Sequence, residues 1–178
     1  AMLESVELHV FAQPEGLEVE ETGSTYAENA RLKAETVARL TGRWTLADDS
    51  GLSVDALGAA PGLYSARYAP TDAERIDRLL RELGNTVYRS AAMISAFALA
   101  DPEGRTVLES EGICRGEILS QPVTAQGYGY NQVLYVREAG CTLAEMTPHQ
   151  LHKLGSRARA ARQMAPGLRR LLGLEPEG

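Results

Sequence analysis

Two adjacent aspartates, Asp48 and Asp49, are the residues of this chain whose types and spacing most directly indicate chemistry. They follow an apolar run that contains Trp44, Leu46 and Ala47. A strand that ends in Asp-Asp-Ser-Gly holds two carboxylates on a rigid support, so that one acid can bind a divalent cation while its neighbour takes a proton. Aspartate, serine and glycine are also ordinary turn-forming residues. The pattern alone therefore leaves a metal-assisted site and a structural turn as alternatives.

Helices and strands of ordinary length must position these acids. Thr25 and Glu28 have the spacing of a capping box, and Gly42 ends the apolar periodicity that follows, which predicts a helix between them. The other elements follow from alternation, apolar runs and chain breakers. They are a strand over residues 6–11, a strand leading to Asp48, an extended or short helical piece over 52–57, a helix over 71–83, a hairpin of strands over 91–99 and 106–118, a strand over 133–136, and a helix from Pro148 that Pro166 interrupts. The sequence thus predicts an α/β chain with a curved central sheet.

Size and composition bound the class of protein. The chain has 178 residues, of which 44% are hydrophobic, so it is long enough for one domain with a core and short for two. No apolar run approaches the roughly 20 residues that span a bilayer, and residues 1–4 lack the features of a secretory signal. We therefore expect a single domain over residues 1–178 that is soluble, cytoplasmic and not bound to a membrane.

Charge and cysteine content argue against a general nucleic-acid-binding protein and against a disulfide-stabilised or cysteine–histidine metal-binding protein. The net charge of -6 argues against a general affinity for nucleic acid. Residues 151–172 nevertheless carry six Lys or Arg and no acid, so this segment either faces an anion or is a solvated helix face. The two cysteines, Cys114 and Cys141, are too few for a disulfide framework and have no metal-type spacing with the three histidines. We interpret both as ordinary thiols.

A series of motifs occurs in a specific order along most of the chain. They are Glu21-Thr22-Gly23, Thr25-Tyr26-Ala27-Glu28-Asn29-Ala30, Lys33-Ala34, Ala47-Asp48-Asp49-Ser50-Gly51-Leu52, Ala60-Pro61-Gly62-Leu63-Tyr64-Ser65-Ala66-Arg67-Tyr68, Gly127-Tyr128-Gly129-Tyr130, Ala144-Glu145-Met146-Thr147 and Arg157. Together they resemble the inosine triphosphate pyrophosphatase family. The resemblance implies an elongated, mixed, twisted sheet with flanking helices in two lobes around a nucleotide cleft, and a homodimer. It also implies hydrolysis of non-canonical purine nucleoside triphosphates (ITP, dITP, XTP) to the monophosphate and pyrophosphate.

The resemblance assigns roles to individual residues. Glu28 and Asp48 match the carboxylates that hold Mg²⁺ in the family, and Asp49 matches the catalytic acid that takes a proton from the water attacking the α-phosphorus. The residues that it places against the nucleotide are Lys33, Arg39, Ser50, Arg67, Tyr128, Gly129, Tyr130, Asn131, Ser156 and Arg157, with Tyr128 stacked on the purine. Structural alternatives are that Glu28 only caps a helix, that Asp49 only forms a turn, and that Lys33 is a surface residue.

The chain departs from the family pattern at positions that handle the substrate. Nothing in residues 1–16 replaces the family's Thr/Ser-x-Asn-x-x-Lys phosphate loop, and from this we expect an N-terminal truncation or an alternative start. Asn131 stands where the family has an aspartate, Leu151 and Ser156 replace a lysine and a histidine, and Ala92 replaces an arginine. Each charged hydrogen bond contributes about 1.5 to 3 kcal/mol, so losing three or four cationic partners weakens triphosphate binding by several kcal/mol.

Three hypotheses follow from this combination. The first is a Mg²⁺-dependent nucleoside triphosphate pyrophosphatase, because the acids are retained. The second is a catalytically impaired relative that serves as a binding or interaction module, because the phosphate-binding cations are reduced. The third is a pyrophosphatase with an altered substrate, accommodated by Met93, Leu151 and Ser156.

Overall fold

A computed structural model describes residues 9–124 and 126–174, which contain four α-helices and five strands. In chain order they are α1 (Tyr26–Thr41), β1 (Thr45–Val54), two 3-10 helices (Asp55–Leu57 and Gly62–Arg67), α2 (Asp72–Leu83), β2 (Ser90–Ala100), β3 (Thr106–Ile118), β4 (Leu134–Val136), β5 (Cys141–Thr142), α3 (Pro148–Leu154) and α4 (Ser156–Leu171). The strands form one sheet in the order β1-β2-β3-β4-β5, with β4 antiparallel to both of its neighbours. The predicted α/β class with a central sheet and flanking helices is confirmed. Within the described ranges no helix has the length and apolar content needed to cross a membrane.

The chain forms two compact units, each with its own core. The first unit contains residues 9–49, 96–111 and 160–174, and its core is a cluster of alanines from α1 and β2. The second unit contains residues 50–124 and 126–159 apart from 96–111, and its core consists of larger side chains. Fully buried members of the second core include Leu52, Val54, Leu79, Val133 and Leu134.

Helix α1 begins and ends as its sequence predicts, with one difference at its start. The Thr25 hydroxyl accepts a hydrogen bond from the Glu28 N–H at 3.1 Å, and Gly42 adopts the left-handed conformation that terminates the helix. The Glu28 carboxylate does not complete the predicted capping box at Thr25. It accepts hydrogen bonds from the N–H and hydroxyl of Ser24 instead, at 2.6 and 2.8 Å.

Strand β1 is longer than predicted. The Asp-Asp-Ser-Gly segment does not end it, because β1 continues to Val54. Leu52 and Val54 are fully buried in the core of the second unit, and this burial outweighs the local turn preference of the polar residues before them. The structure therefore contradicts the interpretation of Asp49 as a turn residue.

Other predicted elements are confirmed or need correction. The second helix and the hairpin strands agree with α2, β2 and β3 to within one residue. The single helix predicted from Pro148 is divided into α3 and α4 by Gly155, whose backbone is extended (φ -60°, ψ 145°), and Pro166 lies inside α4 without ending it. The strand predicted over residues 6–11 is wrong for residues 9–11, which form no strand, and its first part lies outside the described residues.

Candidate active site

Two side chains of α1 hold Asp49. Its Oδ1 atom accepts a hydrogen bond from Lys33 Nζ at 3.4 Å, and its Oδ2 atom accepts one from Asn29 Nδ2 at 3.2 Å. Asn29 and Lys33 are four residues apart, so one face of the helix presents both of them. Asn29 Oδ1 accepts a hydrogen bond from the Gly23 N–H at 2.7 Å, which fixes the orientation of its amide. Lys33 and Asp49, predicted separately, are therefore in contact.

Glu21 also belongs to this cluster, although the residue-type and family arguments did not place it at the site. Lys33 Nζ donates to Glu21 Oε1 at 2.9 Å, so one ammonium group is shared by the carboxylates of Glu21 and Asp49. The one sequence signal for Glu21 is its place in the Glu21-Thr22-Gly23 motif. Asn29 was likewise missed, although it lies in the next motif.

The surroundings of Asp49 make it a stronger base than an exposed aspartate. The residue is only 9% exposed, and burial raises the pKa of its carboxyl above the usual value, as does the nearby charge of Glu21. Lys33 and Asn29 act in the opposite direction because they stabilise the ionised form. A carboxylate with a raised pKa that remains fixed in orientation is suited to accept a proton.

The two predicted metal carboxylates, Glu28 and Asp48, have different surroundings. Glu28 stands in the first turn of α1, and its hydrogen bonds from the backbone and hydroxyl of Ser24 lower the pKa of its carboxyl. Asp48 precedes Asp49 in β1, and successive strand residues point to opposite faces, so these two side chains diverge. Adjacency in sequence thus does not make Asp48 and Asp49 a pair on one face.

The donor chemistry of this region suits magnesium. Mg²⁺ prefers oxygen ligands and is commonly held by one or two carboxylates together with substrate phosphates. Glu21, Glu28, Asp48 and Asp49 supply carboxylates of this type. In the part of the chain that the structure describes, no three His, Cys, Asp or Glu side chains are grouped as a metal site.

The loop over residues 127–131 belongs to the second unit and holds its aromatic residues in different ways. Tyr130 is buried, and its hydroxyl donates to the Ser65 carbonyl at 2.8 Å. The Gly129 N–H donates to Asp72 Oδ2 at 2.7 Å, and the Asn131 N–H donates to the Tyr128 carbonyl at 3.2 Å. Tyr128 itself is 67% exposed, so a fixed loop presents an open aromatic ring.

Ser50 and Ser156, predicted separately, are connected through a third serine. Ser50 Oγ donates to Ser95 Oγ at 2.9 Å, and Ser95 Oγ lies 2.7 Å from Ser156 Oγ. Ser95 lies on β2 and is fully buried. The family resemblance gave no indication of Ser95.

Arg39 and Arg67 make their contacts elsewhere. Arg39 lies six residues after Lys33, about 9 Å further along the axis of α1, where it donates to the Gly104 carbonyl at 3.2 Å. The Arg67 guanidinium lies over the Tyr64 ring at 5.5 Å, and Arg157 is exposed. Their roles in substrate binding stay predictions.

Comparison with known proteins places these residues in a family. The Ham1 family model matches residues 1–167. A protein of Nostoc sp. named dITP/XTP pyrophosphatase is 48% identical over 177 residues, which cover 99% of this chain and 90% of that protein. A protein of the same name from Synechococcus sp. (strain CC9311) is 49% identical over 175 residues, covering 98% and 85%.

Solved structures agree with the sequence comparison. The HAM1 protein from Coxiella burnetii has a TM-score of 0.87 and 38% identity, covering 95% of this chain and 90% of that one. The Staphylococcus aureus Ham1 protein has a TM-score of 0.82 and 36% identity, covering 88% and 82%. The motif order, the fold and the nearly full-length match lead to the same assignment, and the predicted resemblance is confirmed: this chain belongs to the Ham1 family.

Proposed function

We propose that this protein hydrolyses the purine nucleoside triphosphates ITP, dITP and XTP to the corresponding monophosphate and pyrophosphate. The observation that carries the proposal is Asp49, a nearly buried carboxylate held between Lys33 and Asn29 in a chain of the Ham1 family. The names of relatives with 48 and 49% identity support the substrate class.

Asp49 serves as the base in this mechanism. It takes a proton from the water that attacks the α-phosphorus, and its burial favours the protonated product of that transfer. Once Asp49 is protonated, it no longer compensates the charge of Lys33. Glu21, at 2.9 Å from the same ammonium, remains as the partner of Lys33. Asn29 keeps the carboxylate in place throughout, because its amide is itself fixed by Gly23.

Mg²⁺ is part of the proposal, and the residues that would hold it are Glu28 and Asp48 by family resemblance. When bound, the ion neutralises phosphate charge and stabilises the charge that develops in phosphoryl transfer. Glu28 and Asp48 would supply carboxylate oxygens to it.

Substrate recognition is assigned to the aromatic and cationic side chains that the family resemblance predicts. We assign purine stacking to Tyr128, whose exposed ring is carried by a fixed loop. Lys33, Arg39, Arg67 and Arg157 are the cationic side chains predicted to meet the triphosphate. The homodimer implied by the family resemblance stays a prediction.

Pyrophosphate release from dITP and Mg²⁺ tests the proposal. We expect turnover by the native chain, its loss on chelation, and a decrease of roughly 100-fold or more in Asp49→Asn, since a positioned base contributes about 10²- to 10⁴-fold. Asp101→Asn is the matched control, because Asp101 is also a buried carboxylate (7% exposed) and its hydrogen bonds from Glu103 and Arg105 serve a turn. This control should retain turnover.

Three outcomes separate the hypotheses. Equal turnover in the native chain and in Asp49→Asn would exclude Asp49 as the base. Binding of dITP without turnover in the native chain would favour the binding-module hypothesis. Faster turnover of a different nucleotide, measured with a panel that includes dATP and the diphosphates, would favour an altered substrate.

A further inference from the structure

The hydroxyl groups of Ser50, Ser95 and Ser156 form a continuous chain within the second unit. Ser50 lies on β1, Ser95 on β2, and Ser156 is the first residue of α4. The two Oγ to Oγ distances are 2.9 and 2.7 Å. Ser95 is 0% exposed and Ser156 is 8% exposed, so the chain leads through the interior to a hydroxyl near the surface.

The number of hydroxyl protons fixes which serine donates and which accepts in these hydrogen bonds. Each serine hydroxyl has one proton to donate and two lone pairs to accept. Ser50 uses its proton toward Ser95. If Ser156 also donated to Ser95, the Ser95 proton would have no acceptor. Within residues 9–124 and 126–174, the Ser95 hydroxyl forms hydrogen bonds only with Ser50 and Ser156. A buried donor without an acceptor is unfavourable, so Ser95 donates to Ser156.

Ser156 is consequently held as a donor. It accepts from Ser95, and its own proton is directed away from the chain of hydroxyls. Among the described side chains and carbonyls, no acceptor is recorded for that proton. A hydroxyl fixed in this orientation, on a residue that is 8% exposed, can donate to a ligand at little further entropic cost.

We propose that Ser95 is a positioning residue that presents the Ser156 hydroxyl as a hydrogen-bond donor to an acceptor oxygen of the nucleotide. This inference rests on the proposed function and adds a residue that itself touches no substrate. The acceptor oxygen belongs either to a purine carbonyl or to a phosphate group. Because a carbonyl at C6 is present in dITP and absent in dATP, the two sources can be separated.

The test compares the KM and kcat of Ser95→Ala, Ser156→Ala and the double variant with those of the native chain. Loss of one positioned hydrogen bond should raise the KM for dITP about 3- to 10-fold while kcat stays within about twofold. Because Ser95 acts through Ser156, the double variant should be no worse than Ser156→Ala alone. If Ser95→Ala does not fold, Ser95→Cys, which has a similar size and a weak donor, takes its place.

Ser110→Ala is the matched control. Ser110 is a buried serine (9% exposed) in the first unit, and its hydroxyl donates to the Ala160 carbonyl at 2.7 Å. This variant should lose stability without a change in KM. A KM rise in Ser95→Ala for dITP but not for dATP would assign the acceptor to the purine carbonyl, and equal rises would assign it to a phosphate.

Two results would overturn the inference. One is a Ser95→Ala variant with a lower melting temperature and an unchanged KM, because a serine with a purely structural role would give this result. The other is a double variant whose KM rise equals the product of the two single rises. The Kd of Ser95→Ala for dITP is measured in parallel with EDTA present. It should rise by the same factor of about 3 to 10 relative to the native chain. If the native chain binds dITP without turning it over, the proposed function fails while this Kd still decides the role of Ser95.

Discussion

Tyr26 and Tyr130 both have buried hydroxyls, but within the described residues only the Tyr130 hydroxyl forms a hydrogen bond. The same substitution at the two positions should therefore change stability in opposite directions. Burial raises the pKa of both phenols to about 12. The Tyr130 hydroxyl donates to the Ser65 carbonyl at 2.8 Å. The Tyr26 hydroxyl is the one buried side-chain polar atom of the described residues that has no partner. The two tyrosines therefore lose different interactions when each is changed to phenylalanine.

The expected magnitudes follow from these contacts. Leaving a buried polar group unsatisfied costs about 1 to 3 kcal/mol, so Tyr26→Phe should raise the free energy of unfolding by about 1 kcal/mol or more. Tyr130→Phe removes a formed hydrogen bond and should lower it by about 0.5 to 1.5 kcal/mol. For a chain of this size, 1 kcal/mol corresponds to about 2 to 4 °C in Tm. The two variants should consequently lie on opposite sides of the native chain.

Urea denaturation followed by circular dichroism measures both changes, and differential scanning calorimetry gives the corresponding Tm values. The comparison needs similar m-values, because a changed m-value indicates a changed denatured or native state. If Tyr26→Phe is destabilised as much as Tyr130→Phe, the Tyr26 hydroxyl has a partner and the assignment of an unsatisfied group is refuted.

Three further predictions concern stability. The folded chain keeps the Tyr26 proton up to about pH 12, whereas the unfolded chain loses it near pH 10. The free energy of unfolding therefore falls between these pH values, and it should fall less in Tyr26→Phe. Urea denaturation at a series of pH values measures this difference. Because the pKa of Asp49 is raised by folding, the unfolded chain loses this proton at a lower pH than the folded chain does. Stability therefore falls as the pH rises from the unfolded pKa to the folded pKa, and over this range Asp49→Asn should gain stability relative to the native chain in the same assay. Gly104→Ala should lower the free energy of unfolding more than Gly140→Ala. Both glycines have positive φ, but a Cβ would collide with Arg39 Cγ at Gly104 and would meet none of the described atoms at Gly140, so calorimetry should show a difference of roughly 1 kcal/mol or more.

Elements whose ends are set by neighbouring residues were predictable from the sequence. Helix α2 begins at the Thr71 cap, where the Thr71 and Glu74 side chains complete a capping box, and it ends before Gly84. Its inward residues Ile76, Leu79 and Leu83 are buried at the predicted spacing. Caps and helical periodicity depend on contacts within a few residues, so the sequence contains all that determines them.

Elements whose ends depend on distant packing were not predictable in the same way. Gly155 divides the last helix, and a Cβ at that position would lie 2.6 Å from the Leu151 carbonyl oxygen. Pro166, a stronger local breaker, lies inside α4. Local propensity ranks these two residues in the reverse order of their observed effects. The segment beside Pro166 packs on distant residues, since a Cβ at Gly167 would lie 2.7 Å from Leu108 Cδ2, and such tertiary contacts override local propensity.

The site shows the same division between local and distant information. Family motifs identified Lys33 and Asp49, whose contact the structure records. Glu21 and Ser95 were missed because their contacts join positions 12 and 61 residues apart, to Lys33 and Ser156. Polar contacts over such separations have no periodicity in the sequence.

The failed prediction for β1 is itself informative about the site. Asp48, Asp49 and Ser50 occupy the interior of a ten-residue strand, although aspartate is disfavoured in strands and an ionised buried aspartate is costly. Deviations from local preference are expected where polar groups are retained for function. Burial that raises the pKa of Asp49 both reduces stability and increases basicity, so a single change, Asp49→Asn, should raise stability at neutral pH and remove activity. A variant that lost stability as well as activity would show that Lys33 and Asn29 overcompensate the burial of the charge, and Asp49 would then be a structural ion pair.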